Sequence, residues 1–241
     1  MPVVFDVAGS VAMFRKPYTT TSSVSYPFPP PSAVAGIISA IVGLENGAQD
    51  YAYSANFWEK ISGNKVGIKL ISDIKWYKTT LNFWNVKEPQ KNPHIQIKHQ
   101  FVKDPAYRIY VNGPIEEQLE KYLSKNSFVY TPYLGVAYAI AEIKYVGRFE
   151  NKENSKENFV TETIVPYDED ISDGVEVDVL KSGGLHREIV PFKMDNERNL
   201  ERVITVLYSA NKKRQGIFIK KAGKLEVSRV GKDTVVWFPE W

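Results

Sequence analysis

Residues 3–44 read VVFDVAGSVAMFRKPYTTTSSVSYPFPPPSAVAGIISAIVGL. Val3, Phe5 and Val7 alternate with the residues between them, which predicts a half-buried strand. Pro29, Pro30 and Pro31 cannot continue a strand ladder, and Ser32 stands where a helix N-cap is expected. The segment Ala33 to Gly43 is apolar almost all round, so it is expected to pack as a helix against a sheet. Between strand and helix lie Phe14, Arg15, Lys16, Tyr18, Thr19, Thr20, Thr21, Ser22, Ser23 and Tyr26. Cations, hydroxyls and aromatic rings together supply what a single-stranded nucleic acid needs: phosphate partners and stacking platforms. A plain solvated basic loop is the alternative.

Working outward, Tyr51 to Ile61 is expected as a short second helix and Lys65 to Leu81 as a strand. Asn82 to Pro93 is expected as a polar excursion. Ile95 to Val102 and Tyr107 to Val111 return as strands. Pro114 to Leu123 forms a helix, with proline in its first turn, acids early and a lysine late. Ala137 to Phe149 closes the series. The order is β-α-β-β-α-β with one extra helix and a hairpin insertion, an α+β ferredoxin-like or RRM arrangement over residues 1–150. Such sheets present aromatic and basic groups to single-stranded RNA. Asn151 to Asn158 carries no apolar residue and is expected as a linker. Residues 159–241 hold short strand patterns, from Val175–Leu180 to Thr234–Phe238, split by turn signals such as the glycines Gly183 and Gly184. They read as a smaller β-rich region.

At 241 residues the chain can bury a real core, and 43% hydrophobic with 24% charged residues is ordinary for a globular protein. No apolar run approaches the roughly 20 residues that span a bilayer, and no signal peptide is visible. Zero cysteines excludes disulfides and thiolate metal sites and fits a reducing cytoplasm. The net charge of +3 is too small to argue for nucleic acid by itself, so the location of charge matters more than its total.

The run GSVAMFRKPYTTTSSVSYPFPPPSAVAGIISAIVGL, with PYLGVAYAIAE at Pro132 to Glu142, resembles a known family. It is similar to the CRISPR-associated RAMP subunit that caps the handle end of the guide RNA in type I Cascade, the Cas-five family, nearest the I-B subtype. The match lies in the ordered combination G-x-x-A-x-F-R, T-T-T-S-S, Y-P-F-P-P and S-A-V-x-G. The resemblance implies a non-catalytic subunit that binds the 5′ handle of crRNA and joins the backbone and large subunits. Target DNA would be met only through the complex. It also implies that the insertion after the second strand is a thumb folded over the guide. Phe83 and Trp84 would then wedge or stack, and Lys87 and Lys91 would meet phosphate. Trp84 folding back on the sheet is the equal alternative. By the same resemblance the turn at Tyr133 lies at the RNA-facing edge, although Pro132 and Gly135 also suit a tight structural turn.

Lys98 and His99 carry the one enzymatic hint, since a near-neutral histidine beside a cation can move protons in 2′-OH attack. The I-C branch of the family cleaves precursor crRNA with tyrosine, lysine and histidine, so a metal-independent endoribonuclease using Lys98 or His99 with Tyr18 or Tyr26 is the alternative function. Strand alternation sends Lys98 and His99 to opposite faces, and in the I-B type a separate subunit cuts, so the expectation for Lys98 and His99 is a phosphate or base contact with RNA. No cofactor is expected. Asp168, Glu169, Asp170 and Asp173 lack a calcium-loop spacing, and His94, His99 and His186 are too scattered for zinc. Lys212, Lys213, Arg214, Lys220, Lys221 and Lys224 form the densest basic cluster, read as a contact for nucleic acid or an acidic partner, or as a solvated hairpin tip.

Overall fold

A computed structural model describes residues 1–19, 22–47, 55–210 and 216–241. The chain runs through β1 (Val3–Ala8), β2 (Val11–Ala12), β3 (Phe14–Arg15), β4 (Ser25–Tyr26), α1 (Pro31–Val42), α2 (Phe57–Ile61), β5 (Lys65–Leu70), β6 (Lys75–Trp84), β7 (His94–Lys103), β8 (Ala106–Asn112), α3 (Glu116–Leu123) and β9 (Glu142–Arg148). It continues through β10 (Asn151–Glu153), β11 (Glu157–Thr161), β12 (Val165–Pro166), β13 (Val175–Val177), α4 (Val179–Ser182), β14 (Leu185–Met194), β15 (Leu200–Ser209), β16 (Ile217–Ala222), β17 (Val227–Val230) and β18 (Asp233–Val236). The architecture is mixed α/β, with antiparallel sheets and few helices. Among the described residues no helix is long and apolar enough to cross a membrane.

A four-stranded antiparallel sheet of order β5-β8-β1-β9 organises the N-terminal half. Alternation does what the sequence implies: Val3, Phe5 and Val7 join Val66, Ile68, Tyr107, Ile109 and Val111 in one core with α1 and α3. Full burial of side chains this size contributes about 1.5–3 kcal/mol each, which is why the alternating strands hold their register. Helix α1 begins two residues earlier than the Ser32 cap implies. Pro30 occupies the cap position and Pro31 the first turn, no side chain caps the helix, and Ser32 lies inside it. The helix ends at Gly43, whose left-handed φ of 81° lets its N–H reach the Ser39 carbonyl at 2.8 Å. Val34, Ala35, Ile37, Ile38, Ile41 and Val42 are buried, but Gly36 is exposed and Ala33 and Ala40 only half-buried, so one strip of α1 faces open space.

The opposite face of that sheet differs from expectation. It was expected to meet RNA, but the C-terminal strands cover it. Val4 and Tyr110 pack against Val230, Val235 and Trp237. The approach is close enough that a Cβ at Gly67 would lie 2.5 Å from Val235 Cγ1, so glycine there is a packing requirement. Beside this apolar patch, Arg108 donates to both oxygens of Asp6 at 2.7 and 2.9 Å. Asp233 accepts from Lys69 at 2.8 Å and from the Tyr110 hydroxyl at 2.7 Å, and Lys69 also pairs with Glu162. Burial alone would raise the Asp233 carboxyl, but the hydrogen bonds from Lys69 and Tyr110 and the charges of Lys69 and Arg108 outweigh it and hold it below the usual range.

Other boundaries shift for local reasons. The expected strand from Lys65 to Leu81 breaks after Leu70, where Ile71 and Ser72 both donate to the Ala106 carbonyl, and β6 then leaves the sheet. Residues 151–158 are not a bare linker: β10 pairs with β17, and β11 with β16. Beyond Val177 the expected strand becomes α4, capped by the Asp178 side chain on the Lys181 N–H at 3.0 Å. Gly183 closes that helix in the left-handed region instead of turning a hairpin. The inner face of the long β14–β15 hairpin sends Val190, Phe192, Ile204, Val206 and Tyr208 into the same core as α1, with Tyr208 edge-on to Phe28 at 5.1 Å. Thr20, Thr21, the first residues of the expected second helix (51–54) and Lys212, Lys213 and Arg214 lie outside the described residues.

Candidate nucleic-acid interface

The chain leaves the sheet as a two-stranded ribbon, β6 paired with β7 from Lys75↔Lys103 to Trp84↔His94. β-branched and aromatic residues keep the ladder going further than the polar composition of the segment implies. Phe83 and Trp84 therefore stand on a strand, and only residues 85–93 form the turn. Asn85 shapes that turn: its side-chain oxygen accepts from the N–H groups of Lys87 and Glu88, and its own N–H reaches the Pro93 carbonyl at 2.9 Å.

Cross-strand partners share a face, so the register divides the ribbon chemically. One face carries Tyr77, Leu81, Phe83, Ile95, Ile97, His99 and Phe101, with rings in sequence: Phe83 to His99 at 5.4 Å, His99 to Phe101 at 5.8 Å, Phe101 to Tyr77 at 6.4 Å. The other face is Trp76, Lys78, Thr80, Asn82 and Trp84 opposite Val102, Gln100, Lys98, Gln96 and His94, and all but Val102 and Gln100 are exposed. Trp84 does not fold back on the sheet; it is 60% exposed, with His94 edge-on at 5.5 Å. Residues 75–103 hold six lysines against the single acid Glu88, a net +5 in a chain whose total is +3. The ribbon is thus strongly cationic, as is the stretch 212–224 with six cations and no acid, while the rest of the chain is acidic on balance. Sequence reasoning singled out the distal half, Phe83 to His99, and missed Trp76, Tyr77 and Lys78. The run KWYKTT, alternating cations with rings at strand period, was the signal that could have found them.

The loop after β3 lies directly against this ribbon. Ser23 donates its N–H to the Lys98 carbonyl at 2.9 Å and accepts the Gln100 N–H at 2.9 Å, while β2 pairs with Val102 and Lys103. Two segments 75 residues apart in sequence therefore form one surface. On it, Arg15 is exposed, its guanidinium donating to the Thr19 carbonyl at 2.9 Å, and Tyr18 is 68% exposed. Thr19 closes a tight turn through its hydroxyl to the Lys16 carbonyl at 2.8 Å, and Ser22 is half-buried.

Several expected contacts are placed elsewhere. Phe14 and Tyr26 are 4% and 2% exposed, because β3 and β4 pair with each other and turn both rings into the core. Phe14 stands edge-on to Tyr107 at 6.2 Å. Burial, with Tyr18 and Glu188 nearby, pushes the Tyr26 phenol up to about 12. Lys16 is not free: its ammonium pairs with Glu188 of β14 at 2.7 Å and sits 5.1 Å from the centre of the Tyr26 ring. His99 is 7% exposed, its Nδ1–H donating to the Ile97 carbonyl at 2.9 Å, while Lys98 stands on the opposite face, as alternation implies.

The 130–135 turn joins the surface by close backbone approach. Met13 donates to the Leu134 carbonyl at 3.0 Å, and a Cβ at Gly135 (φ 87°) would lie 2.1 Å from the Met13 oxygen. Tyr130 donates its N–H to the Ala40 carbonyl of α1 at 2.9 Å, so Tyr130 and Tyr133, both exposed, stand over the helix beside Arg15. The acids at 168–173 serve the fold: Asp168 accepts the Thr205 N–H at 2.9 Å and Asp173 pairs with Lys224 at 2.9 Å.

A family model described as CRISPR-associated protein (Cas_Cas5) matches residues 3–218. No curated protein matches the sequence. Among solved structures the fold is similar to a CRISPR protein from Archaeoglobus fulgidus, with a TM-score of 0.57 and 14% identity over 98% of each chain. It is similar to a chain of a CRISPR RNA-guided surveillance complex, with a TM-score of 0.52 and 13% identity over 92% of this chain and 91% of that one. It is also similar to a chain of a type III-B Cmr-beta assembly bound to cognate target RNA and AMPPnP, with a TM-score of 0.53 and 10% identity over 91% and 86%. At these identities the likeness is one of fold.

Proposed function

Since the chain belongs to the CRISPR-associated Cas5 family, we propose that it is a non-catalytic RNA-binding subunit of a CRISPR surveillance complex in the cytoplasm. In this reading it holds the 5′ handle of the guide RNA and joins the backbone and large subunits. Its N-terminal half is a ferredoxin-like RAMP domain, whose order β5-β8-β1-β9 with α1 and α3 on one face suits that description. The observation that carries the proposal is the ribbon. A ribbon of net +5, with Trp76, Trp84, Lys78 and Lys98 exposed on one face and its β7 edge laid against the loop that follows Arg15, offers stacking and phosphate contacts side by side. RNA is held there and not on the sheet, whose free face is occupied by β17 and β18.

A nuclease role fits the geometry less well. Lys98 and His99 face opposite ways, the His99 ring is held between Phe83 and Phe101, and the Tyr26 phenol is buried with its proton tightly held. A general base needs hydrogen-bond reach to the 2′-OH it activates.

The test is to titrate the purified chain with guide RNA carrying its repeat-derived handle, and with the same RNA after handle deletion, in EDTA. Binding that depends on the handle, with the RNA recovered intact, is expected. A defined cut in EDTA, lost in His99→Ala, would replace this proposal with the endoribonuclease.

A further inference from the structure

Glu188 stands where the strand pattern calls for an apolar side chain. It shares the inner face of β14 with Val190 and Phe192, both in the core beside α1, and its cross-strand partner Val206 is fully buried. The Glu188 side chain is 19% exposed, and among the described residues its one ion-pair partner is the Lys16 ammonium, 2.7 Å away on a side chain 14% exposed. Burial pushes the phenols of Tyr26 and Tyr208 up to about 12, and the Glu188 charge adds to both shifts, so the carboxylate lies close to both rings.

A half-buried ion pair contributes little net stability, because taking two charges out of water offsets most of their attraction. Its stronger effect is on geometry, since any arrangement that parts the two groups leaves a buried charge uncompensated. The geometry at stake here is the turn after β3. Lys16 donates its N–H to the Val24 carbonyl at 2.8 Å, and its own carbonyl accepts from the Thr19 N–H at 3.3 Å and from the Thr19 hydroxyl at 2.8 Å. The Lys16 ammonium sits 5.1 Å from the centre of the buried Tyr26 ring and 5.9 Å from that of Tyr18, which is 68% exposed. One cation held by β14 therefore reaches both the ring that anchors the turn and the ring that the turn displays. Ser23 ties the far end of the same segment to β7. The loop is strung between the C-terminal hairpin and the ribbon.

We propose that Glu188 is a positioning residue for RNA: by holding the Lys16 ammonium it sets the 16–19 turn so that the Tyr18 ring is presented to a base of the strand. This rests on the RNA-binding reading above and makes the C-terminal hairpin part of the grip. A platform already in place spares the complex the cost of ordering it on contact. The expected sign runs against simple charge. An acid beside a polyanion repels it, so electrostatics alone would have the loss of Glu188 strengthen binding.

Glu188→Gln keeps the shape of the side chain and removes its charge. Titrated by fluorescence anisotropy with handle-bearing guide RNA, the intact variant chain should bind about 2- to 12-fold more weakly per folded molecule, the ordering cost of one side chain. The slope of log affinity against log salt should stay as in wild type, because no phosphate contact is lost. In a Tyr18→Ala background the same substitution should cause no further weakening, since Glu188 acts through that ring. Equal or tighter binding in Glu188→Gln overturns the proposal, and a slope steeper by about 0.7 would identify Lys16 as a phosphate contact that Glu188 withholds. A weakening that persists in Tyr18→Ala overturns it too, as does a lower melting temperature with affinity per folded molecule intact. If Glu188→Gln does not fold, the exchanged pair, Lys16→Glu with Glu188→Lys, decides: wild-type affinity is expected, and its loss in a folded protein overturns the proposal. Wild-type binding that ignores the handle would discard the RNA reading itself, whereas handle-dependent binding indifferent to Glu188 discards only the positioning role.

Discussion

Replacing Lys78, Lys87 and Lys98 together with alanine removes cations from the strands and turn of the ribbon. Among the described residues none of the three takes part in an ion pair, and all are exposed, so their loss should leave folding stability within about 0.5 kcal/mol of wild type. Free ammonium groups are what a polyanion recruits. Each phosphate neutralised on a single strand adds about 0.7 to the slope of log affinity against log salt, so three lost contacts should flatten the slope by about 2. Between about 50 and about 200 mM salt the wild type should therefore lose about 20-fold more affinity than the triple variant. The assay is anisotropy titration of handle-bearing RNA at four or more salt concentrations, with a melting curve to confirm the fold. Parallel slopes in a folded variant would refute the ribbon as the phosphate-binding surface. A weaker but equally salt-dependent variant would refute it too, because the lost energy would not be electrostatic.

Trp84→Ala should weaken RNA binding by about 1–3 kcal/mol, with the melting temperature nearly unchanged because the ring is largely exposed; a large stability loss at unaltered affinity contradicts this. Gly67→Val drives a side chain into Val235 and should destabilise the protein by about 1–3 kcal/mol in urea unfolding, and no change would mean that β18 does not press on the sheet. Asp233 has a depressed folded pKa, so its stabilisation is fully present above the unfolded carboxylate value near 3.9 and is lost as pH falls through the folded value. The urea midpoint of wild type should accordingly drop on acidification below about pH 4 by more than that of Asp233→Asn, and equal drops would remove Asp233 as the acid-sensitive group.

The parts of this fold legible from sequence are those governed by near neighbours. Three prolines and a left-handed Gly43 bracket α1, alternation at Val3, Phe5 and Val7 gives β1 its inner face, and the same alternation separates Lys98 from His99. What sequence left hidden depends on distant partners. Phe14 and Arg15 are adjacent and read alike as loop residues, but pairing with Ser25 and Tyr26 buries one and exposes the other. Lys16 reads as a free cation until Glu188, 172 residues away, is set beside it. The sheet face looks open until Val235 arrives over Gly67. Of the candidate site, the loop and hairpin were recognisable as separate pieces. Their joining through the two hydrogen bonds of Ser23 was not, since a serine carries no signal of its backbone partners.

That joining also sets how the ribbon moves. A two-stranded hairpin is marginal in water by itself, and among the described residues the backbone of β6–β7 has outside partners only toward its base, from β2 at Val102 and Lys103 and from Ser23 at Lys98 and Gln100. From His94 to Ile97 the ladder among the described residues has β6 alone as partner. The outer turns can therefore open and close without disturbing the core, in the way that local unfolding draws on weakly contacted segments. In the proposed role, a finger of this kind would conform to the strand it grips, and ordering it on contact would subtract from the affinity its lysines and tryptophans supply. Stiffening the 85–93 turn would tighten binding without adding a single contact.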